Sequence, residues 1–300
     1  VATAARRGAA DGAAPGSGSR RTDDLGPARR ETVRDGGVMT GQHDSGRRLH
    51  LVNVSLPKTG TQSVAGLFGR FRTAHEFWLP QAAEILDAER LGHFSESRRR
   101  RFVLERDAAG KLEVDSASFN HWFADILVDA FPAARFLLVV REPAGWLESW
   151  LGEICFDYRL RGLEEIPYRP GVLERMLPGP FDTHAMGRRE RLVAILPDLA
   201  DSLLAHWSDA HRRLLDILPP DRWLLLRLDQ LSASLPALAA FAGIAADRLD
   251  RSAMHLHRRP AVRPLLPELG PDRIAALVER RCGPLWRELL ARTGAGDQPS

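Results

Sequence analysis

Between residues 55 and 63 the chain reads Ser-Leu-Pro-Lys-Thr-Gly-Thr-Gln-Ser, which gathers a lysine, a glycine and several hydroxyls between an apolar run and an amphipathic segment. That is the composition of a turn that cradles a phosphate. Gly60 lets backbone approach an anion closely, Thr59, Thr61 and Ser63 offer hydroxyl donors, and Lys58 supplies a mobile point charge. The backbone N–H groups and the positive dipole end of a following helix would point at the same place. Residues 56 to 60, Leu-Pro-Lys-Thr-Gly, also match a cell-wall sorting signal. Such a signal needs an apolar span and a basic tail after it near the C-terminus, whereas here an amphipathic helix and a whole domain follow. The nucleoside-triphosphatase loop does not fit either, because its lysine follows the second glycine of Gly-x4-Gly-Lys-[Ser/Thr]. In this chain the lysine stands two residues before the glycine.

A second constellation lies at residues 139–150, Val-Val-Arg-Glu-Pro-Ala-Gly-Trp-Leu-Glu-Ser-Trp. Arg141 closes an apolar run, Pro143 turns the chain, and Ser149 falls eight residues after Arg141 in a helical pattern. A strand-end arginine and a helix hydroxyl can fork around a second phosphate. Taken alone, Arg141 reads equally well as an ordinary ion-pairing residue.

These groups need elements to hold them. Residues 49–56 read as a short buried strand and 61–72 as a helix with small and apolar residues on one face. Helical patterns follow at 80–90 and 119–130, and residues 135–140, Arg-Phe-Leu-Leu-Val-Val, predict a fully buried strand. A helix over 144–156, a long one over 192–218, a third buried strand over 222–228, a short helix over 235–243 and a closing helix over 272–292 complete the pattern. Residues 157–187, rich in Gly, Pro and charge, read as an insertion or lid, and 257–271 as a Pro-broken basic segment. Strands alternating with helices predict a three-layer α/β fold, a central, mostly parallel sheet flanked by helices. In such sheets ligands bind outside the carboxyl ends of the strands, so the two constellations can share one crevice.

Composition narrows the classes. The 300 residues, 44% hydrophobic, can bury a large core, and a net charge of +3 makes no general case for nucleic-acid binding. The basic runs at 98–101, 188–191 and 258–263 read as solvated helix faces. Two cysteines, Cys155 and Cys282, form neither a disulfide framework nor a metal-ligand pattern, which points to a reducing, cytoplasmic setting without a metal. No apolar run approaches the ~20 residues of a membrane span. Only two of the 42 basic residues are lysines, Lys58 and Lys111, in a chain whose Ala, Arg, Gly and Leu content suggests GC-rich bacterial DNA. A lysine kept in the turn is then there for its compact ammonium. Residues 1–47 carry almost no large apolar side chains and are expected to be disordered, 48–294 to form the domain, and 295–300 a flexible tail. The run 35–39 reads as a translated ribosome-binding site, with initiation at Val38 or Met39.

Taken together, Pro-Lys-Thr-Gly-Thr after the first strand and Arg-x-Pro-x5-Ser after a later one resemble the sulfotransferases that use 3′-phosphoadenosine 5′-phosphosulfate. The resemblance extends to Ala-His-Trp at 205–207 and to residues 218–231, over roughly 49–291. It implies a P-loop-like sulfotransferase architecture and transfer of a sulfuryl group to a hydroxyl of a small molecule or glycan, leaving adenosine 3′,5′-bisphosphate, with no metal. Pro57, Lys58, Thr59, Gly60, Thr61, Gln62 and Ser63 would hold the 5′-phosphosulfate, with Lys58 acting on the leaving oxygen, and Arg141 and Ser149 would grip the 3′-phosphate. A C-terminal basic loop corresponds to 257–259, with Arg258 as its candidate contact, though the family's Arg-Lys-Gly pattern is missing there. A base must take the acceptor's proton, and the candidates are, in order, Glu76, His75, then His121 and Asp115. Each has a plainer role: Glu76 as a helix N-terminal charge, His121 as a helix-start residue, Asp115 as an N-cap. Phe77, Trp78, Trp122, Trp146 and Trp150 are candidates for an acceptor pocket, although such residues are mostly core. A P-loop kinase and an inactive nucleotide-binding protein of the same fold are the alternative readings.

Overall fold

The apolar runs at residues 135–140 and 222–228 are strands of one parallel sheet in the computed structural model, which describes residues 46–161, 189–252 and 264–294. Five strands pair in the order β2-β3-β1-β4-β5, with β1 at Leu51–Asn53, β2 at Thr73–His75, β3 at Val114–Ser116, β4 at Arg135–Val140 and β5 at Trp223–Arg227. All four pairings are parallel.

Successive residues of a strand face opposite layers, and the two cores separate on that basis. Val52, Phe136, Leu138, Val140 and Leu225 pack into one cluster, and Leu51, Val114, Leu137, Val139, Leu224 and Leu226 into the other. The first is covered by α2 (Leu79–Arg90), α3 (Glu96–Gly110), α4 (Ala124–Ala130), α5 (Pro143–Arg161), α6 (Arg189–Ile217) and α8 (Pro271–Gly294). The second is covered by α1 (Thr61–Leu67) and α7 (Leu235–Ala242). The fold is therefore the expected three-layer α/β. Burial on both faces is why β4 reads as an unbroken apolar run: Phe136 to Val140 are 1% exposed or less. Among the described residues no helix is long and apolar enough to cross a membrane.

The structure adds β2, β3 and α3 to the elements expected from sequence and changes three other expectations. The first strand is only three residues long; Val54 to Leu56 continue it as buried, irregular chain. The helix expected over 119–130 opens as a 3-10 turn, Ser118–Phe123, before α4. The basic run 98–101 is not wholly a solvated face: it lies on α3, and Arg99 is buried beside Glu89 (3.0 Å) and Asp125 (3.1 Å). One candidate base, Asp115, serves this interior instead. Arg106 of α3 clasps the Asp115 carboxylate through both nitrogens, at 2.5 and 2.6 Å, so Asp115 is an ion-pair partner and not a helix cap.

The strand order places one feature of consequence. From β1 the chain leaves toward β2 and β3 on one side, and from β4 toward β5 on the other. The segments after β1 and β4 thus part in opposite directions and leave a crevice between them at the carboxyl edge.

Candidate functional site

The segment after β1 is held by a buried polar lattice. Asn53 donates to the Ser116 hydroxyl (2.9 Å) and its carbonyl side accepts the Ser55 N–H (3.0 Å). The Ser55 hydroxyl in turn accepts the Val139 N–H of β4 at 2.7 Å. Ser116 donates to the Thr61 carbonyl (2.7 Å), and the Trp146 indole of α5 donates to the Pro57 carbonyl (2.8 Å). Thr59, fully buried, turns its hydroxyl back to the Leu56 carbonyl at 2.6 Å. Lys58 and Gly60 both take left-handed backbone, φ 67 and 88. Only the second is suited to it: a Cβ at Gly60 would also lie 2.7 Å from Leu228 Cδ1.

This turn forms one wall of a cleft of about 320 Å³. Pro57, Lys58, Gly60, Thr61, Gln62 and Ser63 line it, with His75 at the end of β2 and Glu76 just after it, Arg141 after β4, and Ser149 on α5. Ten of the sequence-predicted site residues are thereby brought together. Thr59 is not among the lining residues, because its side chain is spent inside the turn. His121 is not there either. Its ring is buried against Trp122, with centroids 4.1 Å apart, and its Nδ1 bonds to the Ser118 carbonyl. Burial, then the nearby His206, pushes the His121 imidazole well below its ordinary range. A carbonyl can only accept, so Nδ1 carries the proton and the residue acts as a neutral donor. Arg258 and most of the expected lid lie outside the described residues, although α5 extends through the lid's first positions to Arg161.

Four further residues line the cleft: Ser118, Trp150, Glu153 and Leu228. Trp150 was an aromatic candidate; Trp122 and Trp146 are core. Glu153 was missed. Its signal was spacing alone, since residues four apart share a helix face and Ser149 was already placed there.

The electrostatics of the walls differ. Lys58 Nζ lies 2.5 Å from Glu153 Oε2. Arg141 donates to the Lys58 carbonyl at 3.4 Å, and among the described residues no carboxylate lies within ion-pair distance of it. Its guanidinium is lowered from the usual arginine value, chiefly by burial, and remains cationic at neutral pH. Opposite, Glu76 adopts φ 57 in a turn closed by the Leu79 N–H on the Glu76 carbonyl at 3.0 Å. Its Oε1 accepts the Ser118 N–H at 3.0 Å, while its Oε2 is buried with no hydrogen-bond partner. Burial raises its carboxyl above the ordinary value, against the pull of the bonds from Ser118. His75 Nε2 stands 3.0 Å from the Thr61 hydroxyl and 3.5 Å from Glu76 Oε1, so it bridges the two walls. Of the four non-glycine residues with positive φ among the described residues, Lys58 and Glu76 both line the cleft, and strain of this kind gathers at functional sites. Among the described residues no group of three or more His, Cys, Asp or Glu is placed to hold a metal.

No family model and no curated relative matches the sequence. Among solved structures, the chain is similar to a sulfotransferase from Alicyclobacillus acidocaldarius, with 16% identity, a TM-score of 0.42, and coverage of 80% of this chain and 99% of that one.

Proposed function

We propose that the cleft binds 3′-phosphoadenosine 5′-phosphosulfate and that the protein is a sulfotransferase acting on a hydroxyl of a small molecule or glycan. The observation that carries this reading is the meeting of two cations, Lys58 and Arg141, from the ends of two adjacent strands, across one cleft from a carboxylate whose proton affinity is raised. Two separated cations suit a ligand with two separated anionic groups, and the raised carboxyl suits a base.

In the reaction the acceptor oxygen attacks sulfur while the bond from sulfur to the 5′-phosphate oxygen breaks. The products are a sulfate ester and adenosine 3′,5′-bisphosphate. Glu76, on the cleft wall, takes the acceptor's proton on its carboxylate, which the Ser118 N–H holds in place through Oε1. Lys58, with the hydroxyls of Thr61 and Ser63, offsets the charge that grows on the leaving phosphate. Arg141 and Ser149 take the 3′-phosphate and so prefer this donor to ATP, which lacks one. A cytoplasmic enzyme without a metal is the simplest form of this reading.

Thermal unfolding with adenosine 3′,5′-bisphosphate, and separately with ADP and with ATP and Mg²⁺, tests it. A native-state ligand at a hundred times its Kd stabilises by about 2.7 kcal/mol, a shift of a few degrees at this size. A shift with the bisphosphate and none with ATP is expected; the reverse would replace the proposal with a kinase.

A further inference from the structure

Glu153 is an anomaly in an anion site. It lines the cleft with its carboxylate 2.5 Å from the Lys58 ammonium, and both side chains are largely covered, at 12% and 23% exposure. An anion entering the cleft meets Lys58 already engaged and a like charge beside it. The contact is built in from both sides. Lys58 leaves the backbone in a left-handed conformation that lysine rarely adopts, and its direction is fixed by the two bonds that hold the turn. Trp146 grips the Pro57 carbonyl at 2.8 Å and Arg141 the Lys58 carbonyl at 3.4 Å. Trp146, Ser149, Trp150 and Glu153 follow one another at helical spacing along a single stripe of α5. One helix therefore holds the turn, offers a hydroxyl to an anion, and holds the turn's ammonium.

We propose that Glu153 is the resting counter-ion of Lys58, and that an incoming phosphate or phosphosulfate competes with it for the same ammonium. This rests on reading the cleft as a site for an anionic nucleotide. Without ligand, Glu153 keeps the lysine extended across the cleft and neutralised. When the anion arrives, Lys58 passes from Glu153 to the ligand. Glu153 is thus a positioning residue: it lowers affinity for the anion and keeps the lysine aimed where the anion will sit.

The composition supplies a direct probe, because Lys58 and Lys111 are the only two lysines in the full chain. Reductive ¹³C-dimethylation keeps the positive charge and an N–H, so NMR resolves Lys58 from Lys111 and the α-amino group, with Lys111→Arg giving the assignment. In the ligand-free protein, Glu153→Gln should move the Lys58 signal and leave that of Lys111. Calorimetry should show adenosine 3′,5′-bisphosphate binding Glu153→Gln about tenfold tighter than wild type, a gain that no loss of structure produces. Glu153→Asp keeps the charge but draws it back, so it should move the Lys58 signal without that gain, and it serves if the glutamine variant does not fold. An unmoved Lys58 signal, or bisphosphate binding unchanged or weakened in Glu153→Gln, overturns the proposal. If the bisphosphate binds neither protein, the nucleotide reading fails instead. The Lys58 signal then still decides whether Glu153 is its counter-ion, and inorganic pyrophosphate, displacing Lys58 more readily in Glu153→Gln or not, decides the competition.

Discussion

Arg106 and Arg141 are both largely removed from solvent near strand ends, yet their surroundings are opposite. Arg106 lies in the layer of α3, clasped by Asp115 and bonded to the Phe77 carbonyl at 2.7 Å. Arg141, at the mouth of the cleft, has one long bond to a backbone carbonyl and no carboxylate within ion-pair distance among the described residues. Around Arg106 the charges cancel, and around Arg141 and Glu76 they do not. A buried charge left uncompensated costs stability, and a fold tolerates that where a ligand or a proton completes the arrangement. The same contrast separates the histidines. His121 and His211 are sealed in as neutral donors to backbone carbonyls, whereas His75 stands between the two walls of the cleft.

The sharpest way to break this comparison is to remove each arginine. Arg106→Ala strands the buried Asp115 carboxylate and should cost about 3–5 kcal/mol, read by denaturant unfolding. Arg141→Ala should leave stability nearly unchanged and abolish the preference for adenosine 3′,5′-bisphosphate over the 5′-monophosphate, read by calorimetry. Equal destabilisation by the two would erase the distinction between a structural and a ligand-facing cation.

Glu76→Gln should lower turnover by about a thousandfold, within the range of a lost general base. The glutamine oxygen still accepts the Ser118 N–H, so bisphosphate binding should persist. Stability should hold or rise near neutral pH. Burial raises the native carboxyl, so its ionised form weighs on the fold once pH exceeds the ordinary carboxylate value, ~4.3, and the amide removes that burden. In the wild type, turnover should climb with pH through a midpoint above that value. A variant that loses stability and keeps its rate would return Glu76 to the structural class and pass the role of base to His75.

How much of this was legible follows from length and from tertiary packing. β4 and β5 announce themselves because five and four apolar residues in a row, 136–140 and 223–226, have no other place than a sheet covered on both sides. β2 and β3 have three residues each, too few to display a period, and the polar Asp115 and Ser116 disguise the second. The turn at 55–63 and the Arg141–Ser149 spacing are local, so sequence could propose them. The Lys58–Glu153 contact spans 95 residues and exists only because α5 packs beside the turn. The arginines of α3 misled for a related reason: charge on a helix reads as surface until its partners are known to converge. Arg99 meets Glu89 of α2, ten positions before it, and Asp125 of α4, 26 positions after it, while Arg106 meets Asp115 of β3, nine positions on.

On the sealed side of the comparison, His211 gives the next effect in size. It is wholly buried, with Nδ1 bonded to the Trp207 carbonyl at 2.7 Å, and burial lowers its imidazole to about 4. The unfolded chain takes up that proton near 6.5. Between the two values the unfolded state binds more protons, so the native protein is fully stable above pH 6.5 and loses stability as pH falls toward 4. The difference amounts to about 3 kcal/mol. His211→Leu should flatten that acid limb in denaturant titrations run at several pH values. A limb of unchanged depth would assign it to other groups, with His121 the next to test.

Gly60 belongs to the open side, and its effect should be the smallest because two modest costs add there. Its φ of 88 asks a side chain to adopt left-handed backbone, worth about 1 kcal/mol. Its missing Cβ also leaves room for Leu228 Cδ1, which a methyl would meet at 2.7 Å. Leu228 is half-buried at the cleft edge, so its terminal methyl can move aside. Gly60→Ala should therefore cost about 1–2 kcal/mol of stability, no more than one strained residue plus a rotamer change. The double variant with Leu228→Ala separates the parts: it should relieve the contact and leave the backbone cost. Bisphosphate affinity should fall in Gly60→Ala beyond what stability explains, because the turn must flex to seat an alanine. If Leu228→Ala restores affinity along with stability, packing against Leu228 shapes the turn; if affinity stays low, the left-handed glycine is itself part of the anion cradle.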